Sequence, residues 1–205
     1  MSPNLSLMLS FLADLTRFRL APQFGKEAAA PNAPELEDDD TPFTRFVLNQ
    51  RFTIDEFSIL ALSIASHLSS TFFDAIVNEY ISESNDLKIF GGVRGKNFRG
   101  FLPTGETALF LLAGDDLEKR LQVQEMFSTE HFFHKKHILW LEDVPAGEPR
   151  MSGKIILAPE YIELFTTGKV TPPAFSTEFP AKRIETGLGW DDLVLDDAVR
   201  FRNAG

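Results

Sequence analysis

Thr53 and Glu56 form a capping box at the head of the series Ile54, Phe57, Leu60, Ala61, Ile64, Ala65 and Leu68, whose spacing is that of one helix face. Side chain and backbone satisfy each other's first-turn donors there, so a helix must start at this point. Its apolar stripe must then be covered by neighbours. Several neighbours have the right pattern. Leu5, Leu9, Leu12, Leu15 and Phe18, widened by Met8 and Phe11, predict an amphipathic helix over residues 1–20. Ser69 and Ser70 offer an N-cap for a second core helix carrying Phe73, Ile76, Val77, Tyr80 and Ile81 to about Ser82. A third begins near Pro103-Thr104, carries Ala108, Leu109, Leu111 and Leu112, and stops at Gly114. Asp115 or Asp116 then caps a fourth, with Leu117, Leu121 and Phe127 expected inward and Glu118, Lys119, Arg120 and Glu125 expected toward solvent.

After Thr129 the period shortens. His137 to Leu141 and Lys154 to Leu157 are two β-type runs joined by Glu142 to Gly153, which contains Pro145, Gly147 and Pro149, so a hairpin with a long, mobile tip is expected. Pro159 and Gly168 bracket a short last helix around Tyr161, Ile162, Leu164 and Phe165. The reading is an α+β, mostly helical fold: winged-helix-like helices plus a β-hairpin, with an N-terminal amphipathic helix and an extended C-terminal tail. Its expected divisions are an N-terminal helix (1–20), an acidic Pro-rich linker (21–42), a winged-helix-like domain (43–170) and an extended linker (171–205). The acidic linker holds Pro22, Pro31, Pro34, Pro42 and the cluster Glu35, Glu37, Asp38, Asp39, Asp40, and reads as a solvated tether.

Composition narrows the function classes. With no cysteine there is no disulfide, thiolate nucleophile or Cys-ligated zinc, and the cytoplasm is the expected compartment. No Lys or Arg precedes Arg17, and Asp14 interrupts the first apolar run, so the N-terminus does not read as a signal peptide. A net charge of −10 disfavours nucleic acid as the general partner, because phosphate binding draws on Lys and Arg. The 20 Phe, against 2 Tyr and 2 Trp, favour core building, since Phe brings area without a polar handle.

No stretch assembles a catalytic set. Gly91-Gly92-Val93-Arg94-Gly95-Lys96-Asn97 falls short of a phosphate loop, having Phe90 where the first glycine belongs and Asn97 where a hydroxyl is needed. The same stretch supplies the one basic patch, Lys88, Arg94, Lys96 and Arg99, the candidate partner contact, although a solvated loop is the favoured reading. His131, His134 and His137 have helical metal-ligand spacing, but the last runs into a predicted strand, and structural or surface roles are favoured. His67 reads as a core-edge residue, and the pairs Asp115-Asp116 and Asp191-Asp192 stand at cap or linker positions. No cofactor or metal is expected.

The segment Lys182-Arg183-Ile184-Glu185-Thr186-Gly187-Leu188-Gly189-Trp190-Asp191-Asp192-Leu193-Val194-Leu195 resembles the stretch leading into the catalytic module of certain bacterial AAA+ ATPases, most specifically at Trp190 to Leu195. Residues 98–109 and 157–162 are similar to the N-terminal winged-helix-type region of the same group, which includes members accompanying contractile injection systems; the resemblance spans about residues 43–195. After Asp197 the chain ends in Ala198 to Gly205, without the Walker A lysine and Walker B acids, so no ATPase residue carries over. The resemblance implies a non-catalytic N-terminal adaptor or regulatory domain that recognises a protein partner or cargo for an attached or related AAA+ module. The alternative is a winged-helix DNA-binding regulator. In that topology the third helix enters the major groove. Here the helix ending at Gly114 has Glu106 as its only ionic residue, and the next sets Asp115, Asp116, Glu118 and Glu125 against Lys119 and Arg120.

Overall fold

The computed structural model describes residues 2–80 and 90–169, which fall within one compact unit, Met1–Thr171. The tail expected over 171–205, the Trp190 to Leu195 stretch and Lys88 lie outside the described residues. The described part is mostly helical with two small antiparallel hairpins.

The capped helix is the centre of the structure. α3 (Ile54–Leu68) starts at Thr53 with both halves of the capping box formed, and every residue from Phe57 to Ser66 is buried. One stripe was expected, but all faces are covered: α1 (Pro3–Leu20), α5 (Gly105–Leu112), α8 (Pro159–Thr167) and the strand β4 (Ile155–Leu157) all pack against this helix. The small side chains Ala61, Ala65, Ser58 and Ser63 permit that crowding, and the serine hydroxyls at 58 and 63 return to carbonyls of Ile54 and Leu60.

α1 contributes Leu5, Met8, Phe11, Leu12 and Leu20 to the same core as α3. The acidic connector that follows runs along the surface without regular structure from Lys26 to Asp40, and it is tied down. Leu36 packs on the core, while buried Asn4 donates to the Glu37 carbonyl at 2.5 Å and to Thr44 Oγ1 at 2.8 Å, and accepts from the Glu37 N–H. α2 (Pro42–Gln50) was not expected, although Phe43, Phe46 and Val47 stand at helical spacing; Thr41 caps it through the Thr44 N–H, and Pro42 occupies its first turn.

α4 (Phe72–Val77) is shorter than its apolar pattern suggested, and begins at Thr71 rather than at the serines: Ser69 is extended and gives its N–H to Ala65. Phe73, Ile76 and Val77 are buried as expected. The glycine-rich stretch, expected as a loop, contains a small hairpin of β1 (Val93–Arg94) and β2 (Phe101–Leu102). Phe73, Phe90 and Phe101 form an aromatic core beneath it, with centroids 4.8 to 5.8 Å apart.

α5 follows Thr104 directly and ends at Leu112, two residues before Gly114, whose φ of 58° turns the chain away. α6 (Leu117–Glu125) and the one-turn α7 (Phe132–Lys135) lead into β3 (Leu139–Leu141), which pairs with β4 (Ile155–Leu157) in the register Leu139 with Leu157 and Leu141 with Ile155. The other edge of β4 is also used. Thr104 bridges Lys154, Ile155 donates to the Pro103 carbonyl and Gly105 to that of Gly153, so β4 lies between β3 and the segment before α5. The hairpin tip is anchored at its returning end, where a 3-10 turn (Arg150–Ser152) buries Met151 and Arg150 donates to the Phe127 carbonyl. α8 has Pro159 in its first turn and Gly168, at φ 74°, after its end, as expected.

Candidate functional site

The expected orientation of α6 is corrected. Leu117 is 71% exposed and Leu121 56%, while Val123 and Phe127 are buried. The reason is local. Asp116 caps the helix by accepting the Lys119 N–H, and the two cations then bind inward: Lys119 Nζ to Asp55 Oδ2 at 2.5 Å, and Arg120 to Glu106 Oε2 at 2.9 Å and to the Gly114 carbonyl at 3.2 Å. With both cations held against α3 and α5, the leucine ridge is turned to solvent. Glu125 continues that ridge four residues after Leu121, and Glu118 stands three before it, so two exposed carboxylates border the leucine pair. Asp115 and Asp116 at the head of the helix are exposed as well.

The basic stretch is arranged differently from a free cationic patch. Arg94 pairs with Asp74 at 2.9 Å and donates to the Arg99 carbonyl, and the second Asp74 oxygen accepts the Phe101 N–H at 3.2 Å. That carboxylate therefore pins the β1–β2 hairpin onto α4. Lys96 and Arg99 are exposed.

The three spaced histidines separate. His131 caps α7 by accepting the Phe133 N–H on Nδ1, and its Nε2 lies 3.1 Å from Glu56 Oε1, so both nitrogens are engaged. His134 and His137 stack at 6.3 Å, and His137 meets Trp140 edge-on at 5.2 Å at one side of a pocket of about 470 Å³ with a mixed lining that also takes in Leu141, Glu142 and Arg150. Among the described residues no group of three or more His, Cys, Asp or Glu is placed to hold a metal ion. His67, in the last turn of α3, is exposed on one side, while partial burial on the other holds its imidazole below the ordinary pKa range, in keeping with a place at the core's edge. A second pocket, about 330 Å³ and apolar, lies between Pro34, Leu36, Val47, Phe52 and Phe57.

Shifted acids serve the scaffold. A bidentate hydrogen bond from Arg17, at 2.7 and 2.9 Å, holds the Glu79 carboxyl below its ordinary range and the guanidinium above its own. At Asp39, desolvation pulls upward but hydrogen bonds from the hydroxyls of Ser2, Thr41 and Thr44 and the Thr41 N–H outweigh it, and the carboxyl is held well below the usual range. Among the described residues every buried side-chain nitrogen and oxygen has a partner, so the core holds no polar atom waiting for a ligand. No described helix is long and apolar enough to cross a membrane. Comparison of the chain with known protein families, with curated proteins and with solved structures found no match.

Proposed function

We propose that the chain is a non-catalytic adaptor or regulatory domain, acting in the cytoplasm, that recognises a protein partner or cargo for an attached or related AAA+ ATPase. Helices α3, α5 and α6 followed by the β3–β4 hairpin, with α4, the β1–β2 hairpin and α7 interposed and β4 also bridged to segment 103–104, support reading the fold as winged-helix-like. The resemblance of residues 182–195 to the approach to a AAA+ module supports the parentage.

The observation that carries the reading is the surface of α6, the third helix of that arrangement. A DNA-reading helix needs cations facing outward to neutralise phosphates. α6 turns both of its cations inward and presents two leucines bordered by carboxylates. The DNA-binding alternative rests on exposed Lys96 and Arg99 near the β1–β2 turn.

Titration of the purified chain with duplex DNA across salt concentrations tests the two against each other. The expected result is no submicromolar binding at low salt. A steeply salt-dependent submicromolar affinity, lost on Lys96→Ala with Arg99→Ala, would replace the proposal by the DNA reading. ATP turnover persisting after contaminating ATPases are excluded would remove the non-catalytic assignment.

A further inference from the structure

We infer that the partner element bound by α6 is a basic amphipathic helix, seated with its apolar face on Leu117 and Leu121 and its Lys or Arg side chains against Glu118 and Glu125. The inference rests on the protein-recognition reading and specifies the chemistry of what is recognised. Two observations converge on it. First, Leu117 and Leu121 are four residues apart on one helix face, both more than half exposed, which is the footprint that one turn of an apolar helical ridge fits. Leucines placed so on a short helix are not required by the fold, since Val123 and Phe127 already supply the buried contacts of this region.

Second, the charge around the pair is of one sign. The four exposed carboxylates at residues 115, 116, 118 and 125 have no compensating cation on the outer face of α6, because Lys119 is bound to Asp55 and Arg120 to Glu106. An acidic border of this kind repels nucleic acid, anionic lipid and acidic peptides, and accelerates the approach of a cationic one. A second copy of the chain would set its own α6 carboxylates against these. A helix with leucine-type residues at i, i+3 and i+4, flanked by Lys or Arg, satisfies both the apolar and the charged requirement.

The probes are a fluorescein-labelled helical peptide of leucine and lysine and its leucine–glutamate counterpart, titrated by anisotropy against the whole chain. The wild type is expected to bind the lysine peptide at least about tenfold more tightly than the glutamate peptide. Leu117→Ser with Leu121→Ser leaves charge unchanged and alters only exposed positions. It is expected to weaken lysine-peptide binding by about tenfold or more, which separates docking on α6 from general attraction to an acidic protein. Glu118→Lys with Glu125→Lys is expected to abolish or reverse the preference. Equal binding of both peptides, or unchanged binding by the serine variant, overturns the inference; the DNA titration then decides separately whether protein recognition survives. Self-association of the wild type that the serine variant abolishes would make a second copy the occupant and equally overturn it.

Discussion

Replacing Glu56 by alanine tests whether the capping box holds more than the first turn of α3. Glu56 Oε2 accepts from the Thr53 N–H at 2.7 Å and from the Thr53 hydroxyl at 2.8 Å, while Oε1 lies 3.1 Å from His131 Nε2. The carboxylate thus joins the start of the central helix to the cap of α7, with side-chain exposures of only 15% for Glu56 and 18% for His131. Losing the reciprocal cap costs about 1 kcal/mol. Stranding the half-buried His131 nitrogen adds about another 1 kcal/mol, and the better helix propensity of alanine returns a few tenths. The expected loss is about 2 kcal/mol, or a fall in melting temperature of roughly 4–8 °C for a unit of this size. Urea unfolding followed by far-UV circular dichroism measures it. Glu56→Gln, which keeps a capping-box acceptor, is expected to cost less than about 1 kcal/mol. Thr53→Ala combined with Glu56→Ala is expected to show a coupling of at least about 0.5 kcal/mol. A Glu56→Ala loss under about 0.5 kcal/mol, or strict additivity with Thr53→Ala, would refute the reasoning.

Gly153→Ala is expected to cost about 2 kcal/mol or more, because its new Cβ would stand 2.2 Å from the Glu142 carbonyl oxygen across the base of the hairpin; urea unfolding reads the loss. Asn4→Ala removes the link between α1, the connector and Thr44, and an expected loss of about 2 kcal/mol should accompany faster proteolysis near residue 37. Phe101→Ala opens the Phe73–Phe90–Phe101 cluster and is expected to cost about 3–5 kcal/mol by the same unfolding measurement. For pH, Glu79 and Asp39 both have folded-state pKa values below their unfolded ones, so the unfolded chain binds more protons in acid. Their stabilisation is complete above about pH 5 and is lost as pH falls through the folded values. Glu79→Gln should therefore flatten the acid limb of a plot of urea midpoint against pH.

Much of the local structure was legible residue by residue. The Thr53–Glu56 box, the stop at Gly114, and the Pro159 and Gly168 brackets all act within a few residues of backbone, so their meaning does not depend on distant neighbours. The short apolar runs that became β3 and β4 were legible as strands too, although their pairing joins residues well apart in the chain. α2 was missed although its signals were available: Thr41 and Pro42 mark its start, and Phe43, Phe46 and Val47 stand at helical spacing after them. The candidate site was misread for a different reason. Periodicity says which residues of α6 share a face, and Leu117 and Leu121 do, but the direction of that face was fixed by Asp55 and Glu106, which lie 64 and 14 residues away from their partners.

The sequence alone determined where α3, α5 and α8 begin and end, that the chain builds its core chiefly from phenylalanine and aliphatic residues, and that cysteine chemistry is excluded. Those are properties of short windows and of composition. Only the tertiary structure decided which cations are spent inside the molecule, that Arg94 belongs to Asp74, that the acidic connector is fastened through Asn4, and that the α6 leucines face outward. Each of these depends on which side chain meets which across the folded chain. An ion pair or a buried hydrogen bond between distant residues leaves no periodic trace in the sequence, yet it sets the face that a helix offers to a partner.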